Sequence, residues 1–547
     1  MFRSAASLLA IVTAIGCTHV PVAQAQPVVE APAGALSGET QDGINAFRGI
    51  PYAAPPVGWR RWRAPAEAER WSGVRDATEF GPACHQPTAR GTSIYAAAEA
   101  PQMSEDCLFL NVWAPENAEN LPVFVWIHGG ALTTGSSSEA MYDGQQMASE
   151  GVVVVSINYR LGVLGYLAHP ELSSESRQNI SGNYGLQDQI AALRWVEENI
   201  SAFGGNPENV TIAGESAGAL SVMYLMASPE ARGLFDRAIA QSGYMISTPE
   251  LRSARHGDFA AETVGLYVQT QLGRANIADL RAMDAQELTV AAAGAGYAPF
   301  GTIDGVFLPE QLATIFDRGE QAPVPLLAGF NQGEIRSLRM LAAPPSADAA
   351  TYEAEIRARY GVFADEFLRL YPSSDIAESV LATPRDGLYG WTAERLMRRQ
   401  TALGQDAFLY FFDHGYPAAD ESGYHAFHAA EIPYVFGTRD RTPPRWPAIP
   451  DTETEHALSE AMRGYWLSFA RDGVPTAEGQ PDWPPYGETR AYMAFEEGPT
   501  VRERLMPGMY ELHEGVVCRR RVAGGIPWNW NFGLMSPPLP PAAAACP

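Results

Sequence analysis

Ser216 stands at the centre of Gly214-Glu215-Ser216-Ala217-Gly218, a G-x-S-x-G string preceded by the apolar run NVTIAG and followed by ALSVMYLMAS. The bare string recurs by chance, so its position carries the reading. A buried strand that turns sharply into a helix lifts a serine hydroxyl above the sheet, and both glycine positions must be small because backbone packs on backbone there. The chemistry this suits is nucleophilic attack on a carbonyl with acyl transfer. Such attack creates an oxyanion that needs aimed N–H groups. His128-Gly129-Gly130-Ala131 directly follows the apolar run LPVFVWI, where small residues let backbone amides approach a ligand. The amides of Gly130 and Ala131, joined by that of Ala217, are the candidate oxyanion donors; removing one such donor typically costs about 3 kcal/mol in the transition state.

A serine nucleophile needs a base and an acid to orient it, and in this arrangement they follow in the order acid, then histidine. Glu334 lies just past the run PVPLLAGF, with Asp304 and Asp413 as rival carboxylates. Past AFLYFFDH come His425 and His428, while His414 sits at the end of that run, so the residues alone leave the histidine open. His425, His428 and Glu431 fall at i, i+3 and i+6, which also fits metal ligands on one helical turn. Ile432-Pro433 interrupts any such helix, and no further ligand cluster is evident. There is no lysine in the chain, which removes Schiff-base chemistry and a lysine base. No metal or organic cofactor is implied.

The elements that must position these residues read as an α/β fold. Continuous apolar runs, LPVFVWIH and GVVVVSINY, are expected of parallel strands buried on both faces, and DRAIAQSG, PVPLLAGF and AFLYFFDH extend the series. Leu186, Ile190, Leu193, Val196 and Ile200 recur at helical spacing, with Asp188, Glu197 and Glu198 on other faces, and Gly204-Gly205-Asn206-Pro207 ends the helix. Alternating strands and helices predict a mostly parallel central sheet with helices on both faces. Residues 250–300 and 336–400 read as helical insertions capping the strand ends, and a last amphipathic helix starts at His456.

At 547 residues, 46% hydrophobic and 18% charged, the chain suits one large globular unit. The net charge of -25 argues against nucleic acid and anionic membrane surfaces as partners. Arg3, the apolar run Ala5 to Ile15 and Val22-Ala23-Gln24-Ala25 read as a secretory leader cut after Ala25, with lipoprotein processing at Cys17 as the competing reading. No stretch is long and apolar enough to span a bilayer. The expected layout is a leader over 1–25, a catalytic domain over 26–515 and a partly low-complexity tail over 516–547. Export would put Cys84, Cys107, Cys518 and Cys546 in an oxidising compartment; of the three possible pairings, spacing favours the local ones.

Several separated motifs together resemble the type B carboxylesterase family, which includes the cholinesterases: FRGIPYAAPPVG, SEDCLFLNVW, WIHGGA, INYRLGVLGYL, GNYGLQDQIAALRWV, VTIAGESAG and HAAEIPYVFG. The resemblance spans about residues 35 to 515 and implies the α/β-hydrolase fold with helical cap insertions. It implies a Cys84–Cys107 disulfide, a Glu334 acid, and His428 rather than His425 as base, since the family histidine stands three residues before the Glu of E-I-P-Y-V-F. Gly333 and Ile335 depart from the family pattern around the acid. Ser242 matches a serine that hydrogen-bonds the acid, Arg160 and Asp188 match a structural ion pair, and Glu215 is expected to be a buried structural or water-positioning carboxylate. The implied activity is ester hydrolysis through an acyl-enzyme.

Cholinesterase-like members carry a tryptophan in the first disulfide loop to hold a quaternary ammonium. Tyr95 is the only aromatic between His85 and Asp106, which argues against choline esters. A simple alkyl or aryl ester is the default substrate, with a bulky polyester or toxin ester as the specialised variant. Some relatives of such folds are interaction proteins without catalysis. They typically lack the nucleophile, whereas Ser216, Glu334, His428 and the HGGA loop all stand here. Asn179, Asn199 and Asn209 lie in glycosylation-type strings, and Asn209 opens a core strand.

Overall fold

The apolar runs of the sequence become the parallel centre of an 11-stranded sheet. The computed structural model describes residues 26–87, 93–97 and 100–546; the leader expected over 1–25, with Cys17, lies outside the described residues. In chain order the strands are β1 (Glu39–Gln41), β2 (Ile44–Pro51), β3 (Phe109–Pro115), β4 (Leu121–Ile127), β5 (Val153–Ile157), β6 (Gly205–Glu215), β7 (Arg237–Gln241), β8 (Leu326–Asn331), β9 (Ala407–Phe412), β10 (Ala491–Phe495) and β11 (Pro499–Glu503). Their spatial order is β11-β10-β9-β8-β7-β6-β4-β5-β3-β2-β1. All neighbours from β5 across to β10 are parallel. The two flanks, β11 on one side and β1 to β3 on the other, pair antiparallel.

Strands β5, β8 and β9 are buried along their whole length, and because successive side chains point to opposite faces, each strand feeds two cores. On one face Val123, Val125, Ile212 and Leu409 join a core shared with α1 (Tyr184–Asn199), α2 (Ala217–Ala227) and α3 (Trp391–Ala402). On the other, Phe124, Trp126, Phe408 and Tyr410 meet Tyr465, Trp466 and Phe469 of α4 (Glu453–Asp472). Each such fully buried aromatic or aliphatic side chain contributes about 1.5–3 kcal/mol. Helix α1 keeps Arg194, Glu197 and Glu198 exposed but buries Asp188, which takes a bidentate bond from Arg160 with both N–O distances 2.7 Å. Asp188, off the apolar stripe, is therefore an interior ion-pair partner, as the family resemblance implied.

Helices Ala261–Gln271, Ile277–Arg281 and Ala285–Gly294 fill the first expected insertion, and Ala349–Tyr360, Ala364–Leu370 and Ile376–Arg385 the second. Helix α3, which the sequence reading grouped with that second insertion, packs on β8 and β9 instead. Two adjacent parallel strands need a crossover between them, and α3 is its helical part. The boundary expected at 515 falls inside α5 (Met509–Ala523). Beyond α5, Trp528 is fully buried against Trp391 with ring centroids 5.8 Å apart, so the packed body continues past 515. Cys84 is bonded to Cys107 and Cys518 to Cys546, the local pairing.

Between β6 and α2 the chain turns where no side chain fits. A Cβ on Gly214 would stand 2.5 Å from the Gly218 carbonyl carbon, and one on Gly218 would overlap the Ile127 carbonyl oxygen of β4. Gly218→Ala is therefore expected to destabilise the protein by about 3 kcal/mol, read by urea or thermal unfolding. Gly294→Ala, where a Cβ meets nothing within 4 Å, is the control and should be neutral or slightly stabilising.

Candidate active site

Ser216 sits at φ 57°, ψ -120°, a conformation that L-residues rarely adopt, immediately before α2. Its amide donates to the Gln241 carbonyl at the end of β7 at 2.9 Å, which pins the turn to the neighbouring strand. Facing it, the loop after β4 approaches so closely that a Cβ on Gly129 would lie 2.8 Å from the Glu215 carbonyl oxygen and 3.2 Å from the Ser216 Cβ. Gly130 at φ 99° and Ala131 at φ 55° turn this loop, and the amides of Thr133 and Thr134 close it onto the Gly130 carbonyl at 2.9 Å. The amides of Gly130, Ala131 and Ala217 donate to nothing among the described residues. Three amides of the two turns are thus left without a protein acceptor among the described residues.

Glu334 follows β8 and is fully buried. One oxygen, Oε2, lies 2.5 Å from His428 Nδ1; the other accepts from Ser242 Oγ at 2.6 Å and from the Asn331 amide at 2.8 Å. The two loops that carry Glu334 and His428 are stitched together, Gly333 N donating to the Ala426 carbonyl at 2.7 Å. A Cβ on Gly333 would lie 2.6 Å from the Tyr424 carbonyl oxygen, which accounts for glycine at the position where the family pattern has a larger residue. His428 Nε2 faces the elbow, 3.1 Å from Glu215 Oε1.

The rival candidates are held elsewhere. His425 is paired with Asp413 at 2.9 Å and Asp420 at 2.7 Å, and His414 with Glu455 at 3.0 Å. Asp304 accepts the amides of Val306, Phe307 and Leu308 in its own loop. His425, His428 and Glu431 do not converge as ligands: Glu431 accepts from Gln241 at 3.0 Å and from Asn331 at 2.6 Å instead. Among the described residues no group of three His, Cys, Asp or Glu is arranged to hold a metal.

That Glu431–Gln241–Asn331 layer, closed by Trp466 Nε1 donating to Gln241 Oε1 at 3.0 Å, was missed by the sequence reading as a support of the site. So were the rings flanking the base. Tyr95 stands edge-on to His428 at 6.5 Å and donates to the His428 carbonyl at 2.9 Å, and Tyr389 lies 5.5 Å from the same imidazole. The signal for Tyr95 was its place as the sole aromatic in the first disulfide loop; for Tyr389 no local signal exists.

Two buried carboxylates beside the imidazole hold protons more tightly than usual. Burial pushes Glu215 well above the usual carboxylate range; His428 opposes this, and Glu431 and Glu334 reinforce it. Burial likewise raises Glu431, with Glu334 adding to it. For His428 burial works downward, but the carboxylates of Glu215, Glu334 and Glu431 outweigh it and lift the imidazole to about 9. A raised histidine is protonated below that value, so a reaction needing neutral imidazole rises with pH and is lost as pH falls.

A serine on a strand-to-helix turn at a parallel sheet's carboxyl ends, near an imidazole held by a buried carboxylate, is the arrangement of a serine hydrolase of the α/β-hydrolase type. The Carboxylesterase family model matches residues 25–512, and the chain belongs to that family: it is a carboxylic ester hydrolase. It is 36% identical over 503 residues to the para-nitrobenzyl esterase of Bacillus subtilis, covering 87% of this chain and 98% of that protein. It is also 36% identical over 513 residues to the fumonisin B1 esterase of Sphingopyxis macrogoltabida, covering 90% and 91%. A solved PNB esterase superposes with a TM-score of 0.76 at 33% identity, covering 89% of this chain and 99% of that one.

Removing the carboxylate that most raises the imidazole tests this electrostatic account. Glu215→Gln should move the acidic limb of the kcat/KM–pH profile to lower pH, measured on one ester across the range; an unmoved limb would separate Glu215 from the histidine's titration.

Proposed function

We propose that Ser216, His428 and Glu334 hydrolyse carboxylic esters by two-step acyl transfer. His428 accepts the serine proton as Oγ attacks the ester carbonyl, then delivers it to the leaving alcohol; water repeats the sequence on the acyl-enzyme. Glu334 fixes the imidazole through Nδ1 and offsets its cation, with Ser242 holding the carboxylate. The amides of Gly130, Ala131 and Ala217 take the oxyanion, and Glu215 tunes the base from beneath. The observation that carries this reading is the strained serine turn and the Glu334–His428 contact meeting at one place, from segments far apart in the chain. An intact set of three argues against a non-catalytic interaction role.

Small uncharged alkyl or aryl esters are the proposed substrates, with Tyr95 in place of tryptophan arguing against choline esters. A bulky toxin ester belongs to the same reading, supported by the relative named for fumonisin B1. A leader over 1–25 and export are proposed as well, supported by two disulfides, which persist in oxidising compartments; the catalytic unit would begin at residue 26.

Ser216→Ala should lower kcat on p-nitrophenyl acetate and butyrate by several orders of magnitude, with a chelator present throughout. His425→Ala, by contrast, should keep activity near wild type. A fully active Ser216→Ala protein, or activity abolished by the chelator, would overturn the assignment.

A further inference from the structure

Helix Ile376–Arg385 runs into α3 through a π-helical turn, Asp386–Gly390. Such turns insert a residue into a helix and re-aim a side chain, and they gather at functional sites. Here the turn aims Tyr389 at the site: its ring lies 5.5 Å from His428 and stands edge-on to Tyr244 at 6.0 Å. Tyr244 comes two residues after Ser242, just beyond the Gln241 carbonyl that anchors the nucleophile. The two phenols therefore line the side of the site where imidazole and elbow meet.

Tyr389 is only 3% exposed and Tyr244 is half-buried. Among the described residues neither hydroxyl makes a hydrogen bond, yet neither belongs to the buried polar atoms that lack a partner, unlike those of Tyr224 and Tyr410. Both oxygens thus open onto accessible space while their rings stay packed. A phenol without an acceptor among the described residues finds one in what fills the site, because leaving it unpaired costs about 1–3 kcal/mol.

The pair is held rigidly. Met245 N donates to Thr392 Oγ1 at 2.9 Å, tying the Tyr244 loop to the helix that follows Tyr389. Residues beyond 512, where the family match ends, brace both: Asn529 Oδ1 accepts the Ser247 amide at 3.0 Å, and a Cβ on Gly387 of the π turn would lie 2.5 Å from the Asn531 carbonyl oxygen. Rigid donors at fixed positions make a specificity element rather than an adaptable surface.

We propose that the Tyr244 and Tyr389 hydroxyls donate hydrogen bonds to an oxygen substituent of the substrate, so that this hydrolase selects neutral esters bearing an ether, hydroxyl or carbonyl oxygen over alkyl esters of the same shape. The inference rests on the ester-hydrolase reading above and names the substrate class for that site. Neutrality follows because both phenols are uncharged donors in a buried setting, where an unpaired charged substituent is costly.

Isosteric substrate pairs test it: p-nitrophenyl methoxyacetate against p-nitrophenyl butyrate on the acyl side, and 2-methoxyethyl butyrate against n-butyl butyrate on the alcohol side. The readout is the kcat/KM ratio within each pair, each divided by the ratio for alkaline hydrolysis, for wild type, Tyr244→Phe, Tyr389→Phe and the double variant. In at least one pair the oxygen preference of the wild type should fall by about three- to tenfold in the double variant, as expected for loss of one or two hydrogen bonds. Ratios unchanged in both pairs, or both members of a pair slowed equally, would overturn the proposal while leaving the hydrolase reading intact. Wild type inactive on all four esters would overturn both.

Discussion

The contact on which this molecule depends is that between Glu334 and His428, two buried side chains 94 positions apart in the chain. It can form only if β8 and β9 lie side by side and parallel, so that both loops leave the same edge of the sheet. The long insertion between them must then return through α3 to close the crossover. Gly333 allows the two loops to touch backbone to backbone, and Ser242, at the end of the next strand, holds the carboxylate from its other side. Glu334 and His428 thus leave adjacent strands, and Ser216 leaves the strand beyond the one that carries Ser242, all at one sheet edge, so the sheet order is what makes them neighbours.

Burying that contact brings an electrostatic problem, because Glu215 and Glu431 are buried beside it. The fold meets it by supplying donors rather than cations: Gln241, Asn331, Ser242 and Trp466 form a hydrogen-bonded layer beneath the site. Burial and mutual repulsion push Glu215 and Glu431 toward their protonated forms, which limits the charge the interior must carry. Protons in this cluster are coupled: to the extent that the carboxylates are ionised they raise the imidazole, so the basicity of His428 is set by the whole cluster rather than by Glu334 alone.

Around this centre the walls are aromatic. Tyr95 comes from the loop closed by the Cys84–Cys107 bond, and Tyr389 from the π turn ahead of α3. The segment after α5 braces the second wall and is itself tied down by Cys518–Cys546. The two disulfides therefore secure the two chain segments that border the site without belonging to its strands.

Local pattern was enough for much of this. Continuous apolar runs mark strands buried on both faces, and a glycine-flanked serine between such a run and a helix marks the elbow, because backbone packing there tolerates nothing larger. Among the rival carboxylates and histidines, only the family resemblance selected Glu334 and His428. Composition and periodicity could not place Asp188, whose charge reads as outward-facing until Arg160 is found beside it. Nor could they assign α3 to the crossover or extend the packed body past residue 515. Least legible were Glu431, Gln241, Asn331 and Tyr389, which become part of the site only through contacts between distant strands and a π turn. Short-range sequence determines which residues can turn, bury or react; which carboxylates and rings surround the imidazole, and hence its basicity, is decided by long-range packing that no local signal encodes.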